Sequence, residues 1–214
     1  MAQIFPRNID NLLRLGAVLI GPLVLSGAVG GVWYFFSPSY TDVGYQPEQP
    51  VPFSHRLHAA ELGLDCRYCH STIEEAAHAA IPSTAVCMNC HKVVAADRPT
   101  TEPIRNSYAT GEPIPWVRVH MLPDYTYFDH SVHLAAGVGC TSCHGRIDQM
   151  EVVAQEKPLS MGWCLDCHRN PEPHLRPVGE VTNMGFQTDT YDPGSDPTRT
   201  RTLTPPEHCS GCHR

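Results

Sequence analysis

Residues 53–70 read FSHRLHAAELGLDCRYCH, and residues 128–144 read FDHSVHLAAGVGCTSCH. Each stretch sets a phenylalanine ahead of two histidines at i and i+3, then a glycine-bearing turn, then Cys-x-x-Cys-His. Each is followed by a second such unit, in STAVCMNCH (83–91) and LSMGWCLDCH (159–168). The chain therefore holds a duplicated module, about residues 53–92 and 128–169. A single further unit stands at 209–213.

The ten cysteines are used up by these five units: Cys66–Cys69–His70, Cys87–Cys90–His91, Cys140–Cys143–His144, Cys164–Cys167–His168 and Cys209–Cys212–His213. Cys-x-x-Cys-His is the attachment signature of c-type haem. Two thiols one helical turn apart reach the two vinyl groups of one porphyrin, and the adjacent imidazole comes under the iron as proximal ligand. Zinc is the serious rival, because the gaps Cys69–Cys87 and Cys143–Cys164 have the spacing of four-cysteine zinc sites. Zinc ribbons do not need a histidine after every second cysteine, however, and the fifth pair would lack a partner. A disulfide framework gives no reason for a histidine to follow each pair. A thioredoxin-like redox motif needs a βαβ setting that the sequence lacks. The expected cofactors are five covalently bound haem c groups.

Of the thirteen histidines, eight remain after the proximal five. Five six-coordinate irons need five distal ligands. His55 and His58 share one helical face, as do His130 and His133, so each short helix can serve two neighbouring haems. The fifth distal ligand is expected from His120, set between apolar residues in WVRVHMLPDY, with Met184, Met161 or Met150 as the alternative. His78 reads as a solvated face residue, and His174, among Pro171, Pro173 and Pro177, and His208, beside the fifth motif, are weaker candidates still. No catalytic residue is assigned. An open-coordinated reductase haem is disfavoured by the surplus of histidines.

Further out, the chain of 214 residues has only 17% charged residues and a net charge of −7, which excludes a basic nucleic-acid binder. Its 42% hydrophobic content excludes a wholly disordered chain, but the apolar residues are uneven. Leu15 to Phe36 carries no charge and ends in Trp33-Tyr34-Phe35-Phe36, a membrane span with an interfacial aromatic girdle. Arg7 and Arg14 precede it, while Asp42 and Glu48 are the first charges after it. Positive residues stay inside. The expected order is thus a cytoplasmic tail (1–14), a transmembrane helix (15–36), a linker (37–52) and a periplasmic pentahaem domain (53–214). The expected host membrane is the bacterial inner membrane, with the haem domain on its outer side.

The fold class expected is a mostly irregular, short-helical multihaem cytochrome c domain built around five haems, with one N-terminal transmembrane helix. Helices are expected near 55–62, 72–80 and 130–136 and behind each haem motif. Prolines break any long helix between 93 and 127. The proline-rich stretch 171–206 has few aliphatic residues and should lie over a haem face or a partner surface.

Beyond the haem motifs, PIPWVRVHMLPDYTYFDHSVH, GVGCTSCHGRIDQMEVV, KPLSMGWCLDCHRNPEPHLRP and the terminal CSGCHR resemble the pentahaem cytochrome c subunit (ActA) of bacterial alternative complex III. The likeness runs over nearly all of residues 43–214. It implies an electron-carrier subunit, not itself the enzyme, of a complex that oxidises menaquinol at a neighbouring membrane subunit. The implied partners are an iron–sulfur subunit, a monohaem cytochrome and polytopic membrane subunits. The implied acceptor is a periplasmic cytochrome c, a blue-copper protein or a terminal oxidase. The resemblance also implies that His55, His58, His130 and His133 are distal ligands and that one haem is His/Met. A stand-alone membrane-anchored quinol-dehydrogenase cytochrome and a multihaem reductase are the competing readings.

Overall fold

The computed structural model describes residues 6, 8–197 and 203–213. Arg7, on which part of the orientation argument rests, lies outside the described residues. The chain forms two compact units, Met1–Asp42 and Val43–Arg214.

The first unit is dominated by α1 (Ile9–Phe35), a 27-residue helix with no buried side chain. At about 1.5 Å per residue it exceeds the ~30 Å hydrocarbon thickness of a bilayer. It starts earlier than the uncharged run, taking in Asp10 and Arg14. Backbone hydrogen bonding continues a helix past the last apolar residue, so charge marks the span and not the helix end. This single apolar helix is compatible with a single-pass anchor. Tyr34, Phe35 and Tyr40 form a ring cluster with centroids 4.9–5.5 Å apart. Tyr40 sits on α2 (Pro38–Thr41), a short helix where an extended linker was expected.

The second unit is helical and, among the described residues, has no strand beyond two isolated bridges, Thr126↔His213 and Val138↔Leu175. All five Cys-x-x-Cys-His motifs lie on helical turns: α3 (Cys66–Cys69), α4 (Thr84–His91), α7 (Thr141–His144), α8 (Met161–Arg169) and α9 (Cys209–Cys212). The helices overlap the motifs rather than follow them: α4 and α8 contain theirs whole, whereas His70 and His213 cap α3 and α9 and Cys140 caps α7. Asp65 caps α3 by accepting from Arg67 N at 2.8 Å, and Ser160 caps α8 by accepting from Trp163 N at 3.3 Å. Side-chain acceptors of this kind satisfy the free amides of a first turn.

The two copies of the repeat differ by one residue, and the fold absorbs the difference in a π-helix. In the second copy α6 (His130–Ala135) is α-helical and capped by Asp129. In the first, Arg56–Glu61 is a π-helix, closed by Leu62 N donating to Leu57 O at 3.0 Å. A π turn takes one more residue than an α turn. Beyond it the copies return to register. Leu64 N donates to His58 O at 3.0 Å, and Val138 N donates to His133 O at 3.0 Å. Gly63 and Gly137 occupy the same place in the turn with φ of 70° and 82°, a conformation that side chains with a Cβ resist.

Two expectations need correction. Residues 72–80 form turns, not a helix. Their carbonyls are turned towards neighbouring histidines, which an α-helical ladder would have prevented. The proline-rich stretch is not merely a cover. Leu175, Arg176 and Val181 are among the most buried residues of the chain, because its prolines fold it back through the 3₁₀ turns Glu172–His174 and Val178–Glu180. Val181 packs with Ile73 and Leu134, joining both repeats in one cluster. Between the repeats, α5 (Glu102–Thr110) packs against α4 with Ile104 and Ser107 buried. Only seven apolar side chains are buried among the described residues: Val51, Ile73, Ile104, Val119, Leu134, Leu175 and Val181.

Arg176 is 2% exposed, donates to Asn183 O and Thr141 Oγ1 at 2.8 Å each, and stacks over Phe186. Its guanidinium lies where a Cβ on residue 139 would project. Gly139→Ala should therefore lower stability by about 1–3 kcal/mol, read as a drop in thermal midpoint. An unchanged midpoint would show that Arg176 can move aside.

Candidate haem-binding site

Each thiol pair stands on one helical face at i and i+3, which is the spacing two vinyl groups require. All ten thiols are free. Among the described residues no three Cys, His, Asp or Glu side chains converge as a metal-ion cage would need, so the donors are arranged in pairs. Burial raises the Cys69, Cys87, Cys164 and Cys167 thiols above their ordinary range and pushes Cys143 up to about 12. The neighbouring Cys66 thiol and burial together push the Cys140 thiol up.

The histidines are fixed through one ring atom. Nδ1 meets a backbone carbonyl in His58 (Ser54, 2.8 Å), His70 (Ala80, 2.9 Å), His91 (Val94, 3.0 Å), His130 (Ala77, 2.8 Å), His133 (Asp129, 2.6 Å), His168 (Pro206, 2.7 Å) and His213 (Tyr125, 3.2 Å). A carbonyl can only accept, so Nδ1 carries the proton and Nε2 presents the lone pair. This is the arrangement of metal-binding histidines, whose second nitrogen is held by a partner behind it. Burial lowers His55 to about 4 and His144 to about 3, and lowers His130, His133 and His120 as well. A neutral imidazole is the form that can bind iron. His55 Nδ1 is buried without a hydrogen-bond partner.

Ring spacings bring the histidines together in pairs. His58 and His91 have centroids 6.2 Å apart, His133 and His168 6.2 Å, and His130 and His144 6.4 Å. Two imidazoles that bind one metal from opposite sides, through bonds of about 2 Å, hold their centres about 6 Å apart. His120 is different: its ring is 4.4 Å from His144, with His120 Nε2 3.3 Å from His144 Nδ1. The motif phenylalanines, whose role sequence reading missed, brace both histidine pairs. Phe53 meets His55 edge-on and stacks on His58; Phe128 meets His130 edge-on and leans over His133 at 31°. Their repetition ahead of each pair was the available signal.

The three candidate methionines are scattered. Met150 O accepts from Arg56 N, Met161 opens α8 and is exposed, and Met184 is half-buried. Near His213 stand Tyr125, at a ring distance of 5.7 Å, and Thr126. His78, His174 and His208 lie outside the three ring pairs at 6.2–6.4 Å.

Neighbouring motifs are tied to one another. Asn89, in the second motif, donates to the Tyr68 hydroxyl of the first at 3.1 Å. Cys66 meets Cys140, and residues 181–182 bridge the same junction: Cys140 N donates to Val181 O, and Thr182 Oγ1 to Asp65. His130 and His133 on α6 pair with the third and fourth motifs. His168 donates to Pro206 O and Arg169 pairs with Glu207, just ahead of the fifth. The adjacency therefore runs second–first–third–fourth–fifth.

Residues 51–106 and 126–214 match the family described as cytochrome c7 and related cytochrome c. The chain is also 35% identical over 117 residues to the multiheme cytochrome c subunit of menaquinone reductase from Nitratidesulfovibrio vulgaris strain Hildenborough, an alignment covering 54% of this chain. It spans about half the length of that relative, 53%. The donor set fits the covalent haem c of this family: paired thiols, and imidazoles whose Nδ1 is fixed from behind.

Two predictions follow from the geometry. His133→Ala should convert one low-spin haem into a high-spin one, visible by electron paramagnetic resonance; a fully low-spin spectrum would remove His133 from the ligands. Arg67 beside Asp65 holds its carboxyl down at about 2, against 3.8 ordinarily. A depressed carboxyl contributes stability that is complete above its unfolded pKa and is lost as pH falls through the folded one. The thermal midpoint should thus fall between about pH 4 and 2, with a shallower slope in Asp65→Asn.

Proposed function

Because the chain belongs to the cytochrome c7 and related cytochrome c family, we propose that it is the membrane-anchored electron-relay subunit of a quinol-linked complex of the alternative complex III type. It is a multihaem c-type cytochrome with an N-terminal apolar helix. The proposal adds the count, five haems, and the partners: an iron–sulfur subunit, a monohaem cytochrome and polytopic membrane subunits. It also sets the haem domain on the outer side of the cytoplasmic membrane, handing electrons to a periplasmic cytochrome c, a blue-copper protein or a terminal oxidase.

The observation that carries this reading is the set of seven histidines held at Nδ1 by backbone carbonyls, four of them in the motifs. In this reading His70, His91, His144, His168 and His213 are proximal, and His55, His58, His130 and His133 distal. The fifth distal ligand comes from His120, Met184, Met161 or Met150. Bound haem c supplies one-electron exchange at iron. The protein's part would be to hold the coordinating side chains in place in both oxidation states, which would keep the reorganisation cost low. The carbonyl behind seven of these imidazoles does this by fixing tautomer and ring direction. Helices that carry two histidines three residues apart keep successive sites close. The adjacency of the motifs supports a relay ordered second–first–third–fourth–fifth, with the second and fifth at its ends.

A second reading is favoured by the relative's name. A menaquinone reductase subunit implies electrons running towards the quinone, through the same relay in reverse. The direction is set by the partners' potentials and not by this chain.

Elemental analysis of the purified chain should give five irons and no zinc. Mixed with its co-purified membrane subunits, a menaquinol analogue should reduce the haems. Reduction only by a soluble donor, with the quinone as oxidant, would favour the reverse direction. A colourless or zinc-bearing chain would overturn both.

A further inference from the structure

We propose that His120 is a positioning residue that accepts a hydrogen bond from His144 Nδ1 and so lowers the potential of that haem, rather than acting as a distal ligand. This rests on reading His144 as a proximal ligand. Four of the five motif histidines direct Nδ1 at a backbone carbonyl. His144 instead directs it at His120 Nε2, 3.3 Å away, with the two rings at 77°.

A histidine that binds iron through Nε2 carries its proton on Nδ1, so His144 is the donor and His120 Nε2 the acceptor. The lone pair that would make His120 a ligand is thereby engaged. Nor does the spacing suit a shared iron. The centroids are 4.4 Å apart, short of the ~6 Å that two axial imidazoles need. His130, 6.4 Å from His144 with ring planes 11° apart, fills that place.

The chain holds His120 where the bond requires it. Gln49 pairs with Val117 in both directions, donating to its carbonyl at 2.8 Å and accepting from its amide at 2.9 Å. Val119 is buried, and Arg118 Nε donates to the His120 carbonyl at 3.0 Å. An imidazole nitrogen is a stronger base than an amide oxygen. It draws the His144 proton further away, makes His144 a richer electron donor, and favours the oxidised iron.

The test uses the full haem-loaded chain in detergent, with His120→Phe and His120→Gln. In the phenylalanine variant all haems should stay low-spin, while one midpoint potential rises, changing the reduced-to-oxidised ratio of that haem about tenfold at fixed potential (~59 mV for one electron). Glutamine, which offers an acceptor oxygen, should restore part of the shift. A new high-spin signal would make His120 an iron ligand and overturn the proposal, as would an unchanged redox titration. A third measurement needs no variant. The reduced, ¹⁵N-histidine-labelled protein should show a scalar coupling between two imidazole nitrogens across the hydrogen bond, and its absence counts against the proposal. Fewer than five irons in the unsubstituted chain would instead count against the pentahaem reading.

Discussion

The hydrogen bond from an imidazole Nδ1 to a backbone carbonyl is the constraint on which the body of this protein turns. A ring free to choose its tautomer and rotate about its side chain would present either nitrogen in many directions. A carbonyl behind the ring removes both freedoms at the cost of one acceptor. Four of the seven carbonyls are local to their histidine, and three come from distant segments. Ala77 serves His130, Pro206 serves His168, and Tyr125 serves His213. These three bonds aim imidazoles and also tie the loops together, where few apolar side chains among the described residues are buried to do so.

That division of labour explains why so much of the backbone is irregular. A carbonyl inside an α-helix is committed to an amide four residues on. Residues 72–80 have a helical composition, yet they fold as turns in which Ala77 and Ala80 face histidines. The repeat shows the opposite economy. Where one copy has an extra residue, a π-helix absorbs it locally, and Gly63 and Gly137 restore a common path into the cysteines. The histidine pair and the attachment turn keep their relation, and the insertion is confined to the segment between them.

The two modules meet through contacts that are long in sequence and short in space. Cys66 touches Cys140, and Ile73, Leu134 and Val181 share one cluster. Val181 comes from the proline-rich stretch, where composition pointed to a surface cover. Two aliphatic residues there, Leu175 and Val181, are enough to make it core once 3₁₀ turns fold it between the modules. A count of apolar residues misses this, because burial depends on where the chain is led and not on its average composition.

By itself the sequence determined the paired-thiol turns, the repeated phenylalanine–histidine pairs and the apolar N-terminal helix, because each is a local pattern whose chemistry acts over a few residues. Covalent attachment needs two thiols one turn apart, and a membrane span needs an unbroken apolar run. The tertiary structure alone decided which histidine faces which, that the first and third motifs adjoin, and that His120 lies against His144. Those relations rest on carbonyls and side chains brought from tens of residues away, and the sequence carries no periodicity that reports the direction of a lone pair.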